Sequence, residues 1–143
     1  MTTQSENANC KSVLVVEDDE DIRNVIVDLL ESEGYHTESA GNGQEALDVL
    51  HNIQKPCLVL LDMMMPIMDG RAFLDKVMHD SFLAPIPVVV VSAVADKMNT
   101  QGAVGYIRKP VDIEVILKLV EKFCEGDSVS FSSKDSAQYH PLV

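Results

Sequence analysis

Three short runs in this sequence have no polar side at all: Val13-Leu14-Val15-Val16, Leu58-Val59-Leu60-Leu61 and Val88-Val89-Val90-Val91. An apolar run too short for a buried helix, with no alternation, reads as a strand covered on both faces, the kind found in parallel sheets. Each run then stops on a polar side chain: Glu17-Asp18 after the first, Asp62 after the second, Ser92 after the third. A carboxylate at the mouth of a buried strand is poorly solvated and costly unless something pairs with it. Few folds accept buried strands that all end in polar side chains, and the constraint is tightest at Asp62, which Met63-Met64-Met65-Pro66 follows.

Between these runs the periodicity turns helical. Ile22, Val25, Ile26, Leu29 and Leu30 predict an amphipathic helix that Asp19 caps, that Glu20 and Asp21 suit at its positive end, and that Gly34 closes. Tyr35 to Ala40 predicts a short strand and Gly41-Asn42-Gly43 a turn. Ala46, Leu47, Val49 and Leu50 mark a second helix; Phe73, Leu74 and Val77 mark a third, starting at Asp69-Gly70. Asp96 to Gln101 leaves room for about one helical turn. Gly105-Tyr106-Ile107-Arg108 predicts a fifth strand, ended by Lys109-Pro110, and Asp112 can cap a last helix through Ile113, Ile116, Leu117, Val120 and Cys124. Strand and helix thus alternate five times, which predicts an α/β fold with a parallel sheet covered on both faces. The expected organisation is a flexible segment over 1–11, one domain over 12–125, and a Ser-rich, aperiodic mobile tail over 126–143.

The totals narrow the function. A chain of 143 residues with 46% hydrophobic content suits one soluble domain. A formal charge of −12 argues against nucleic acid and anionic membrane surfaces, and permits a cation or a basic partner. Cys10, Cys57 and Cys124 show no metal spacing and read as free thiols in a reducing cytosol. The first eleven residues carry no apolar signal segment, and no run approaches membrane-spanning length.

In a parallel sheet the strand ends share one rim, where chemistry collects. Here that rim would gather Glu17, Asp18, Asp62, Ser92 and Lys109. Clustered carboxylates repel, and a hard divalent cation such as Mg²⁺ is their natural partner; such an ion keeps waters and holds phosphate oxygens. Lysine and serine would balance and hydrogen-bond a phosphoryl group, and Asp62 would be the nucleophile, since carboxylates form aspartyl-phosphates.

Val16-Glu17-Asp18-Asp19, Asp62-Met63-Met64-Met65-Pro66-Ile67-Met68-Asp69-Gly70, Ser92-Ala93 and Lys109-Pro110, in that order, resemble the receiver domain of two-component response regulators over about residues 11 to 125. The resemblance implies a flavodoxin-like (βα)5 doubly wound five-stranded sheet and a stand-alone cytoplasmic receiver. Its Asp62 takes a phosphoryl group from a histidine kinase or histidine phosphotransfer protein, with Mg²⁺ (or Mn²⁺) bound. By that likeness Glu17, Asp18, Asp62 and the backbone carbonyl of Met64 hold the metal. Lys109 contacts the phosphoryl group, across a cis Lys109-Pro110 bond; Ser92 moves to bind it, and Tyr106 is the switch aromatic. Such a module is not an enzyme beyond its own phosphorylation and dephosphorylation. It regulates a protein partner or passes the group on. One departure stands out: the interval from Ser92 to Lys109 is more than a helical turn short, which predicts a shortened fourth helix on the family's usual output face.

Other readings fit less well. An aspartate-nucleophile phosphatase of the haloacid dehalogenase type needs a second aspartate where Met64 stands, and a flavodoxin-like flavin carrier would meet repelling carboxylates after the first strand. Met63, Met64, Met65 and Met68 have no cysteine or histidine spacing beside them to support a soft-metal site. The chain ends too soon for a DNA-binding effector. Met64 and Val94 flank the phosphorylation site with apolar side chains that cannot orient water, which predicts a long-lived acyl phosphate.

Overall fold

The computed structural model describes residues 11–126 and 129–142. The expected flexible start, residues 1–11, lies outside the described residues except for Lys11. The elements alternate as the periodicity predicts: β1 (Ser12–Val16), α1 (Glu20–Ser32), β2 (His36–Ala40), α2 (Gly43–Asn52), β3 (Leu58–Leu61), α3 (Gly70–Met78), β4 (Val88–Ser92), β5 (Gly105–Arg108) and α4 (Ile113–Glu125). Asp19, Asn42, Asp69 and Asp112 each cap the helix that follows by accepting from a backbone N–H.

The strand order is β2-β1-β3-β4-β5-β6, with β1 to β5 parallel. Alternate residues of the all-apolar strands feed two cores. Leu14, Val59, Leu61 and Val90 pack under α2 and α3 with Phe73 and Leu74; Val13, Leu60, Val89 and Ile107 pack under α1 and α4 with Leu30 and Ile116. That is why these strands have no polar side. The fold is the flavodoxin-like α/β sandwich.

Three expectations change. Residues 93–104 form turns, so the shortened fourth helix is no helix, and the helix after β5 is numbered α4 here. Local hydrogen bonds from Asp96 hold the turn: its Oδ1 accepts from the N–H groups of Met98 and Asn99, and its carbonyl accepts from Thr100 Oγ1. Arg71 then ties the segment to α3 by donating to the carbonyls of Asn99 and Gln101.

The sheet has six strands where five were expected, because residues 129–142 are ordered instead of forming a mobile tail. They form α5 (Ser133–Gln138), closed by a capping box between Ser132 and Asp135, and β6 (Tyr139–Pro141), which pairs antiparallel with β5. Asp127, Ser128 and Val143, in the same stretch, lie outside the described residues. The sequence hides these elements because a six-residue helix and a three-residue strand carry no readable period.

Cys57 and Cys124 are not free thiols: they form a disulfide. They lie 67 residues apart in sequence, but the fold brings the start of β3 and the end of α4 together with Cα atoms 5.1 Å apart, within the range a disulfide spans. Cys10 lies outside the described residues.

Candidate phosphoacceptor site

The register of the sheet builds the site. Val16 pairs with Leu61, so Glu17 and Asp62 leave neighbouring strands side by side. Ser92 pairs with Arg108, so Lys109 leaves β5 at the same rim, its N–H donating to the Ser92 carbonyl at 3.1 Å. The Lys109-Pro110 peptide is cis. Asp62 is held by its own N–H on the Val16 carbonyl at 2.9 Å.

Behind the site, Gly70 lets the start of α3 press against the turn after Asp62. Its N–H donates to the Met63 carbonyl at 2.9 Å, and a Cβ there would lie 2.5 Å from the Asp62 carbonyl oxygen. The glycine after Asp69 is therefore needed for close approach.

Glu17, Asp62 and Ser92 are buried, at 4%, 7% and 1% exposure, while Asp18 is exposed. Ligand oxygens of Glu17, Asp18 and Asp62 all lie within 4.8 Å of one another. Among the described residues this is the one such cluster. Lys109 Nζ sits 2.7 Å from Glu17 Oε1 and 3.8 Å from Asp62 Oδ2. Burial pushes the Glu17 carboxyl up from the ordinary range, with the Asp62 charge adding to the push, while the Lys109 hydrogen bond pulls it down. Arg23 Nη1 donates to the Glu17 carbonyl at 2.7 Å and fixes the turn from the α1 side.

The donor set fits a hard divalent cation: three oxygen ligands, two of them buried, with one ammonium that leaves excess negative charge. An acidic pocket able to hold such an ion is therefore present. The Met64 N–H donates to Asp62 Oδ1 at 3.4 Å, which keeps Met64 at the pocket. Met64 is 63% exposed, and Val94 is 45% exposed.

Ser92 Oγ accepts from the Val94 N–H at 3.4 Å. Tyr106, on β5, is buried and faces the α2–α3 core. Two contacts around it were not foreseen. The His140 ring stacks on it at 4.8 Å, and the Arg108 guanidinium lies 5.7 Å from its centroid while Nε donates to the Ala95 carbonyl at 2.8 Å. His140 is one of four scattered histidines, so nothing in its sequence surroundings marked it. Arg108 alternates outward on β5 and reads as surface.

A parallel α/β sandwich whose strand ends converge on three carboxylates and a lysine is the architecture of a receiver. The family model for the response regulator receiver domain matches residues 13–121. The chain belongs to the response regulator receiver domain family. Among characterised relatives, the polar-differentiation response regulator DivK of Brucella anthropi is 32% identical over 123 residues, covering 82% of this chain and 98% of that protein. A CheY-like receiver domain protein from Methanospirillum hungatei superposes with a TM-score of 0.73 at 28% identity, over 80% of this chain and 94% of that one. The chemotaxis response regulator CheY4 of Vibrio cholerae gives 0.69 at 27%, over 78% and 97%. Receivers of this family work in signal transduction with histidine kinases and downstream effectors. The phosphatase and flavin alternatives gain no support. No helix among the described residues is long and apolar enough to cross a membrane.

Proposed function

We propose that Asp62 is the phosphoacceptor of a cytoplasmic receiver domain spanning residues 12–125, switched by a histidine kinase or a histidine phosphotransfer protein. One observation carries the reading: a buried aspartate at a strand end, ringed by Glu17, Asp18 and Lys109 at the distances above. A carboxylate oxygen of Asp62 attacks the phosphorus of a phosphohistidine. The phosphorus–nitrogen bond breaks, the electron pair stays on the imidazole nitrogen, and an acyl phosphate forms. Mg²⁺, held by Glu17, Asp18, Asp62 and the Met64 carbonyl (with Mn²⁺ able to substitute), would neutralise charge on the phosphoryl oxygens.

Lys109 holds an ammonium beside the attacking oxygen, and Ser92 offers a hydroxyl from the next strand end. Tyr106 then reports the position of Ser92. The donor has a place to approach. A groove of about 670 Å³ opens between α1 and the start of α4, lined by Ile22, Val25, Ile113 and Pro110 and bounded by Lys109 itself. An apolar helical surface carrying the phosphohistidine would bury Ile22 and Val25, which are otherwise half-exposed.

Incubation with acetyl phosphate, with and without Mg²⁺, followed by intact mass tests the reading. The expected result is one Mg²⁺-dependent phosphoryl adduct, absent in Asp62→Asn. An adduct that survives in Asp62→Asn, or none in the unaltered chain, refutes it.

A further inference from the structure

We propose that the β5 edge facing away from β4 is a strand-accepting docking surface whose resident occupant is the chain's own segment 129–142, and that phosphorylation of Asp62 displaces it. The inference rests on the phosphoacceptor reading above.

The occupant is visible. β6 lies antiparallel on β5, pairing Gly105 with Pro141, Tyr106 with His140 and Ile107 with Tyr139, and the Leu142 N–H donates to the Val104 carbonyl at 2.9 Å. Its side chains reach both cores. Tyr139 is buried among the residues under α4, and Leu142 packs on the α2–α3 side, where the missing helix leaves the core uncovered. Gly105 is cut to fit: a Cβ there would run into the Tyr139 ring, 2.5 Å from its Oη. Two ion pairs anchor the segment to α4 and its cap, Lys118 Nζ to Asp135 Oδ2 and Lys134 Nζ to Asp112 Oδ2, both at 2.5 Å. The Asp112 N–H donates to Gln138 Oε1 at 3.0 Å. This is a specific cover, not a chance contact.

The cover is also small and wired to the site. A three-residue strand and a six-residue helix lie at the low-stability end of any fold. A chain of contacts leads to it from Ser92, which ends β4 at the same rim as Asp62. Ser92 heads the turn through Val94 to Ala95; the Ala95 carbonyl holds Arg108; Arg108 lies over Tyr106; Tyr106 carries the His140 stack. A phosphoryl group on Asp62 offers a charged acceptor for the proton of the Ser92 hydroxyl, whose oxygen accepts from the Val94 N–H at 3.4 Å, and so draws that turn toward the site. The Ala95 carbonyl moves with it. Arg108 and Tyr106 then lose the arrangement against which His140 stacks, and β6 comes away from the edge.

The test uses the full chain, acetyl phosphate and Mg²⁺. The Asp62 oxygen–phosphorus bond forms, the donor's phosphorus–oxygen bond breaks and acetate leaves. Intact mass reads the adduct, and amide hydrogen exchange is followed on peptides covering 129–142, β5, β1 and β3. The expected result is at least a tenfold loss of protection over 139–142 in the phosphorylated chain, with β1 and β3 unchanged. Gly105→Ala, which pushes out Tyr139, should show that loss without any phosphodonor. His140→Ala removes the stack without adding bulk and should show it in the same direction. A full adduct with unchanged protection over 139–142 overturns the displacement and leaves the phosphoacceptor reading standing. Absence of an adduct overturns both.

Discussion

Replacing Lys109 with methionine should move three observables, one of them, Mg²⁺ affinity, in a direction that no general loss of structure would produce. The substitution keeps the aliphatic stem and removes the ammonium that sits 2.7 Å from Glu17 and 3.8 Å from Asp62. Both carboxylates are then buried without a cation. Breaking a buried pair by removing one partner costs about 3–5 kcal/mol. Here the Lys109 side chain is 22% exposed, and Glu17, already pushed up by burial, can take a proton, so the expected loss is about 2–3 kcal/mol. With a urea slope of about 1.5 kcal/mol per molar, the midpoint without metal falls by roughly 1.3–2 M. The chain has no tryptophan, so far-UV circular dichroism is the readout. Metal affinity moves the other way. Lys109 competes with a cation for Glu17, and a like charge removed from a few Å away is worth roughly 1 kcal/mol even at the screening of water, so Mg²⁺ should bind at least about fivefold tighter. Phosphorylation by acetyl phosphate should meanwhile slow by about 10²–10³, the usual cost of a lost preorganised donor to developing charge. An unchanged midpoint together with unchanged Mg²⁺ affinity refutes Lys109 as the counter-charge of the pocket.

Met64→Asn with Val94→Glu places groups that can orient water beside the acyl phosphate, and its decay, followed by intact mass, should become at least about tenfold faster. The Cys57–Cys124 bond closes a loop of 67 residues, so its reduction should lower stability by up to about 4 kcal/mol in urea, and a thiol reagent without reductant should label at most one of the three cysteines. Asp135, buried against α4, is pulled down to about 2, first by its hydrogen bond with Lys118 and then by the Ser132 N–H. Its contribution to holding 129–142 is therefore complete above the ordinary carboxylate value near 3.8 and is lost as pH falls through about 2. NMR signals of 129–142 should track that loss, and Asp135→Asn should remove the slope.

The parallel sheet was legible because its strands are covered on both sides. A run such as Val88–Val91 has one reading when no residue in it can face water, and the polar residue that ends it must then stand at the rim. Glu17, Asp62 and Ser92 followed from that without any contact being known, whereas Lys109 ends Gly105–Arg108, a strand that is not apolar throughout. The disulfide was not legible, since the approach of Cys57 and Cys124 is set by how β3 and α4 pack and leaves no trace in spacing. The turns after Ser92 were half legible: the interval is visibly short, but the local hydrogen bonds of Asp96 that replace the helix depend on backbone geometry.

The loss of a helix and the gain of a strand are two sides of one packing requirement. Without a helix over residues 93–104, the β4–β5 end of the α2–α3 core would expose Ala95, Ala103 and Tyr106, and β5 would present an unpaired edge. All three of those residues are buried, which requires a cover. The polar composition of 129–142 disguises that cover, because only Tyr139 and Leu142 need to be apolar for a strand three residues long to plug both sides of one edge. Gly105 is the reciprocal mark, a strand glycine whose missing side chain is the room Tyr139 occupies. A segment that completes the core in this way also occupies the edge of β5, so a partner docking on that edge would have to displace residues the fold already uses.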